Sequence, residues 1–253
     1  MTPSGQDRFA KVPEVTLAFW IIKILATTLG ETGGDAVTMS MNLGYLAGSA
    51  IFVAVFVAAV AAQISAQRFR PFLFWGVIVA TTTAGTTLAD FFDRSLGIGY
   101  AGGSTVLFVL LAATLVLWHR AVGSIAVDEI ATRKAEIFYW MTIMFSQTLG
   151  TALGDWMADD TGLGYLGAAA VFGAALAAVA ACRFFTAIDR ALLFWAAFIL
   201  TRPLGATLGD VLDKSHTEGG MALSRYAASA AIAGVIVASV ALLPQRAERL
   251  RAR

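Results

Sequence analysis

One unit recurs four times along the chain: an aromatic–Trp pair, a Gly ten residues after the Trp, and an Asp five residues after the Gly. The copies are Phe19-Trp20, Gly30 and Asp35; Phe74-Trp75, Gly85 and Asp90; Tyr139-Trp140, Gly150 and Asp155; and Phe194-Trp195, Gly205 and Asp210. A Tyr follows the Asp by ten residues in the first three copies (Tyr45, Tyr100, Tyr165) and by sixteen in the fourth (Tyr226). Copies one and three are offset by 120 residues at every marker, and copies two and four keep that offset as far as the Asp. A period of this length is the mark of stacked, equivalent units. The chain is thus a duplicated pair of duplicated units. It divides into a first half, residues 1–123, and a second half, residues 124–253, at the loop around Ser124–Glu136.

Hydropathy decides what these units are made of. The chain is 58% hydrophobic and 14% charged, where an ordinary soluble domain carries roughly 25% charged residues. Apolar stretches fall at 14–34, 43–63, 71–90, 98–118, 136–155, 162–182, 190–210 and 222–243. Each is long enough to cross ~30 Å of hydrocarbon as a helix. The ten-residue alternation of a membrane β-barrel is absent. The expected fold class is an all-α integral membrane protein, with eight transmembrane helices arranged as four two-helix repeats.

Thirteen Lys and Arg residues fall in the N-terminus, the even-numbered connections and the tail, including Arg8, Lys11, Arg68, Arg133, Arg183, Arg246, Arg251 and Arg253. The opposite loops hold only Arg94 and Lys214. Positive charge stays on the cytoplasmic side, so both termini are expected there, in the cytoplasmic (inner) membrane. The Trp of each repeat is then expected at the inner interface and the Asp toward the outer end of each odd helix. The first apolar stretch already contains a full repeat, which reads as a retained span. A net charge of +1 gives no reason to expect a nucleic-acid partner. The bilayer is the expected partner, and a homo-oligomer is compatible with the sequence.

Small residues recur at every fourth position: Gly30/Gly34, Gly150/Gly154 and Gly205/Gly209 in odd helices, Gly44/Gly48 and Gly99/Gly103 in even ones. That spacing lets backbones approach closely in lipid, so tight helix packing is the first reading of these glycines. The odd helices are expected to meet through these faces around a pseudo-symmetric centre.

Ionisable groups inside membrane spans are costly, and are usually paired or functional. Asp35, Asp90, Asp155 and Asp210 form the repeated set, with Glu31, Asp93, Asp159 and Asp213 beside them. Two readings stand. Each Asp can cap the turn into the next helix by accepting its first amides. Alternatively, the four carboxylates and Glu31 converge as an all-oxygen site for a hard cation such as Mg²⁺, Ca²⁺ or Mn²⁺, or for protons, with Asp35 and Asp155 as the foremost metal ligands. Lys23 and Arg202 lie deeper, in opposite halves. They are either members of buried ion pairs that lock the halves together or gating cations that compete with a transported ion. Arg225 stands where the other copies have Gly, and marks the fourth unit as specialised. Pro203 is expected to kink its helix.

No nucleophile–base arrangement, phosphate loop or cofactor signature is present. The expectation is therefore a non-enzyme without a resident cofactor, with an inorganic cation as substrate. The rival expectation is a non-transporting scaffold or sensor whose repeats serve packing alone. The runs Thr28-Leu29-Gly30…Gly34-Asp35, Thr148-Leu149-Gly150…Gly154-Asp155, Leu43-Gly44-Tyr45 and Leu163-Gly164-Tyr165 resemble a bacterial multi-pass family built from a repeated domain of unknown function. Its members are labelled membrane-anchored proteins. The resemblance spans residues 14–243 and implies a membrane fold, but no activity. The run Glu31-Thr32-Gly33-Gly34-Asp35 is similar, more weakly, to the acidic-x-Gly-Asp sequence of small cation exporters.

Overall fold

A computed structural model describes residues 9–250; Arg8, Arg251 and Arg253, three of the charges used to orient the chain, lie outside them. The described residues form eight α-helices: α1 (Leu17–Asp35), α2 (Gly44–Ser65), α3 (Pro71–Asp90), α4 (Gly99–Val122), α5 (Arg133–Asp155), α6 (Gly164–Phe185), α7 (Arg190–Asp213) and α8 (Arg225–Leu242). Six of these, α2, α3, α4, α6, α7 and α8, are long and apolar enough to cross a membrane. In α1 and α5 the apolar run is interrupted by charges, Lys23, Glu31 and Asp35 in the first and Glu136 and Asp155 in the second. The chain is a multi-pass helical membrane protein with internal repeats. The sequence suggested no strand, yet β1 (Phe9–Pro13) and β2 (Ala247–Arg249) pair antiparallel, so the two described ends meet at one end of the bundle.

The odd helices begin on strong local signals. The hydroxyls of Thr16 and Thr132 accept from the amides of Phe19 and Ala135, Asp189 accepts from Ala191 and Leu192, and Pro71 opens α3. Each of these devices satisfies or removes amides that a helix start leaves unpaired. Beyond the Asp, α1, α3 and α5 each run into one five-residue π-helical turn: Ala36–Ser40, Phe91–Ser95 and Trp156–Asp160. π-turns of this kind are rare and concentrate at functional sites. The connection then takes two left-handed residues in each copy, at Asn42 and Gly44, Gly97 and Gly99, and Gly162 and Gly164. A side chain added at Gly44, Gly99 or Gly164 would meet nothing within 4 Å. These three glycines serve the backbone conformation and not packing, which corrects the close-approach reading for the first member of each even-helix pair.

The odd helices form a closed inner ring in which α1 packs on α3, α3 on α5, α5 on α7 and α7 on α1. Each even helix lies outside, against the odd helix of the following repeat: α2 on α3, α4 on α5, α6 on α7, and α8 back on α1. The interlocking is cyclic, and the chain order has no loose end. At every step the motif Gly admits the residue three positions before the Gly of the next repeat. Gly30 faces Thr82, Gly85 faces Gln147, Gly150 faces Arg202, and Gly205 faces Thr27. The aromatic pairs close a second ring below. Phe19 meets Trp75 at 5.5 Å, Phe74 meets Trp140 at 5.8 Å, Tyr139 meets Trp195 at 6.0 Å, and Phe194 meets Trp20 at 5.8 Å. Trp75, Trp140 and Trp195 are each only 2% exposed. They pack inside the bundle at its aromatic end. Helix α7 runs on through Pro203, whose ring packs against Gly150, so the proline sits at a helix contact without ending the helix.

Two glycines of α3 separate packing from propensity. A Cβ at Gly85 would lie 2.9 Å from Gln147 Cβ and 3.0 Å from its backbone carbon, so Gly85→Ala must push α3 and α5 apart. Gly85→Ala is expected to lower stability by about 1–3 kcal/mol in detergent unfolding. Gly76→Ala meets nothing within 4 Å and is expected to be neutral or to stabilise by about 0.5–1 kcal/mol.

Candidate functional site

The ring presents each odd helix to its axis at every fourth residue, so equivalent positions form layers. From the aromatic end the layers are Lys23, Ile78, Ile143 and Phe198; then Thr27, Thr82, Gln147 and Arg202; then Glu31, Thr86, Thr151 and Ala206; then the four repeated Asp residues, with Met39, Arg94, Asp159 and Lys214 at the equivalent sequence positions four residues further on. Four residues advance a helix by ~6 Å. Polarity therefore rises along the axis from an aromatic end to a carboxylate end.

Arg202 is wholly buried at the middle of the stack. Its guanidinium bonds Glu31 Oε2 at 2.9 Å and also reaches the hydroxyls of Thr86 and Thr151. One side chain of α7 thus joins α1, α3 and α5. Of the two readings of Arg202, the buried ion pair between the halves is present. Its acid is Glu31, on another helix. Lys23 is equally buried but has no carboxylate partner among the described residues. Its Nζ lies 4.2 Å above the Phe198 ring and 3.4 Å from Thr201 Oγ1.

The four Asp side chains are brought together and are 1–4% exposed. The even helices α2, α4 and α6 have Leu43, Ile98 and Leu163 as N-caps, without a side-chain cap, and none of Asp35, Asp90 or Asp155 caps the π-turn after it, so the turn-cap reading finds no hydrogen bond in these three copies. Instead two cations bridge them in pairs. Arg94 reaches Asp90 at 3.0 Å and Asp155 at 3.6 Å; Lys214 reaches Asp210 at 3.2 Å and Asp35 at 3.3 Å. Arg225 adds contacts to Asp213 at 2.7 Å and to Asp35 at 3.7 Å. In these pairs six carboxyl groups (Glu31, Asp35, Asp90, Asp155, Asp210, Asp213) face four cations (Arg94, Arg202, Lys214, Arg225). Glu31, Asp35 and Asp210 offer oxygens that all lie within 4.8 Å of one another, a spacing that could hold a metal ion. Asp155, the other foremost metal candidate, is not part of that group: the group forms on the neighbouring helices α1 and α7, and Asp155 is on α5, across the ring from α1.

Arg94 and Lys214 are the residues that sequence reasoning missed, having been counted as outer-loop charges. Each lies four residues after the Asp of its copy, and the two are 120 residues apart. Carrying the repeat offset one turn beyond the Asp would have found them. The repeat Tyr residues were missed as well. Tyr45 lies in the field of Asp90 and Arg94, while Tyr100 and Tyr165 donate to Asp159 at 3.0 and 3.2 Å. Tyr45 and Tyr100 lean from one repeat toward acids of the next, and Tyr165 bonds an acid of its own repeat. In the fourth copy Tyr226 is 49% exposed, and Arg225 takes that inward place through Asp35. Asp93 is buried against Gly103 with neither oxygen hydrogen-bonded, and its counterpart in the fourth copy, Asp213, is held by Arg225.

The family model for a Repeat of Unknown Function (DUF347) matches four segments, residues 18–69, 73–124, 138–189 and 193–246. The chain belongs to that family. Each match begins just before an aromatic–Trp pair and takes in one odd helix and its even partner. No curated protein and no solved structure matches the chain.

Breaking a buried ion pair by removing one partner typically costs about 3–5 kcal/mol, because the other charge is stranded. Glu31→Gln is expected to destabilise the protein by that order. Glu31→Gln combined with Arg202→Met is expected to recover most of the loss in a double-mutant cycle of thermal unfolding. Additive losses would mean the pair is not energetically coupled.

Proposed function

We propose that the protein is a polytopic carrier of small cations, coupled to protons, that uses the carboxylate ring as its binding site. All eight helices cross the cytoplasmic membrane in this reading, with α1 and α5 shielded from lipid by their place in the inner ring. The positive connections and both termini face the cytoplasm, which puts the carboxylate end outside. The observation that carries the proposal is the excess of buried carboxyl groups over the cations paired with them. Each uncompensated charge at such a site is expensive, so protons or added cations must make up the difference, and exchange between the two is the chemistry of a proton-coupled carrier. The donors are all oxygen, which suits hard cations and not zinc or copper. No resident cofactor and no catalysis form part of the proposal.

Arg202 is the gate in this account. A guanidinium fixed on the axis repels a cation below the ring, so passage requires the Arg202–Glu31 pair to separate as the cation takes Glu31. Lys23, one layer further in, narrows the axis with a buried amine that has no carboxylate partner among the described residues. The same observation favours the alternative, a membrane sensor or scaffold, if that pair never opens.

The test is cation uptake into proteoliposomes under a pH gradient. Wild-type protein is expected to carry a cation, and Asp35→Asn and Asp155→Asn are expected to abolish uptake while remaining folded. Uptake by either variant at the wild-type rate would remove the ring from the mechanism.

A further inference from the structure

We infer that Lys214 is a tethered competitor for the Glu31–Asp35–Asp210 group, and that a divalent cation is taken up there in exchange for its ammonium. The inference rests on the cation-carrier reading of the ring and assigns the site and the charge of the ion. Lys214 Nζ holds two of the three carboxylates, Asp35 at 3.3 Å and Asp210 at 3.2 Å. Arg202 holds the third, Glu31, at 2.9 Å. Charge-assisted bonds are typically about 2.7–2.9 Å long, so Lys214 holds its two carboxylates at longer range than Arg202 holds Glu31, while Arg225 sits at normal length on Asp213, outside the group, and only at 3.7 Å from Asp35. A second observation points to a further ligand. Asp35 is 1% exposed, yet its Oδ1 has no hydrogen-bond partner.

The identity of the cation follows from charge balance. Arg202 already neutralises Glu31, and Arg225 is committed to Asp213 at 2.7 Å against 3.7 Å for Asp35, so departure of Lys214 leaves the two carboxylates of Asp35 and Asp210 to be matched. A divalent ion matches them, and three carboxylate ligands suit Mg²⁺, Ca²⁺ or Mn²⁺. The counterpart pair, Asp90 and Asp155 under Arg94, has Thr151 where this pair has Glu31, and so lacks the third carboxylate. Among the described residues the site therefore exists once, between the first and fourth repeats.

The chain around Lys214 is built differently from the other three connections. It carries the six extra residues of the fourth copy, folded as a 3₁₀ turn over His216–Glu218. The carbonyl of Lys214 accepts from the Ala222 amide at 2.8 Å, and Gly220 lies so close beneath that carbonyl that no Cβ fits. The Ser215 hydroxyl bonds the Glu218 carboxylate and holds it below the usual carboxylate range. This turn is exposed and sits above a lysine on a flexible four-carbon stem. Swinging the ammonium outward leaves the ring helices in place.

The experiment is a thermal-unfolding titration of the purified full chain with MgCl₂ and MnCl₂, using KCl as the ionic-strength control. Wild type, Lys214→Met and Lys214→Arg are compared. Lys214→Met is expected to reach half-maximal stabilisation at roughly tenfold lower divalent concentration than wild type. Lys214→Arg, whose guanidinium can bind a carboxylate at two points, is expected to need more than wild type. If Lys214→Met does not fold, the Arg variant alone carries the test. Equal half-maximal concentrations in wild type and the variants would overturn the inference while leaving cation binding intact. No response to either divalent ion in any of the three proteins would overturn the inference and the carrier reading together.

Discussion

A charge withdrawn from water between packed helices must find its counter-charge there, and the interior of this protein is organised by that requirement. Arg202 has three helices to bond because its position faces the axis, and Glu31 balances it. Arg94 and Lys214 each span the carboxylates of two adjacent repeats, so the ion pairs tie neighbouring units together in addition to neutralising them. The pairs do not balance completely. That remainder gives the bundle a chemical property which packing alone would not require.

The ring that holds these charges depends on backbone proximity. Lipid offers no hydrophobic drive for one helix to leave it for another, so close van der Waals approach at small residues must supply the association. The four motif glycines do this at equivalent points. The residue each admits is also the one that sets the chemistry of the layer: Thr27, Thr82, Gln147 or Arg202. Packing and function therefore share positions, and a Cβ at Gly150 would strike the stem of Arg202 before it met anything else. The aromatic rings below and the paired terminal strands close the other end, where Lys11 of β1 bonds Glu136 at 2.8 Å and the carbonyl of Ile64.

Much of the fold was legible because the repeat, the apolar lengths and the small-residue spacing are all local patterns. The eight helices lie close to the apolar stretches read from the chain, and the odd helices do surround a common axis. What stayed hidden depends on cyclic order. Even helices dock on the following repeat, and each aromatic meets the Trp of the next unit; neither relation is written in the spacing within a unit. The convergence of the Asp set was legible, its neutralisation was not. Arg94 and Lys214 looked like loop residues because the π-turns continue the odd helices past the Asp in the first three copies, and α7 itself extends to Asp213. The fourth copy broke the pattern visibly at Arg225 and Tyr226, and there the departure did mark a real difference in the site.

The most direct test of the account is to ask whether the uncompensated carboxyl groups exchange protons for cations. Purified protein in weakly buffered detergent solution is mixed with MnCl₂ or MgCl₂ while free protons are followed with a pH electrode. The account predicts a saturable release of protons that follows cation binding, and its loss in a chain carrying Asn at both Asp35 and Asp210. Cation binding with no proton release, or release that persists without those carboxylates, would contradict it.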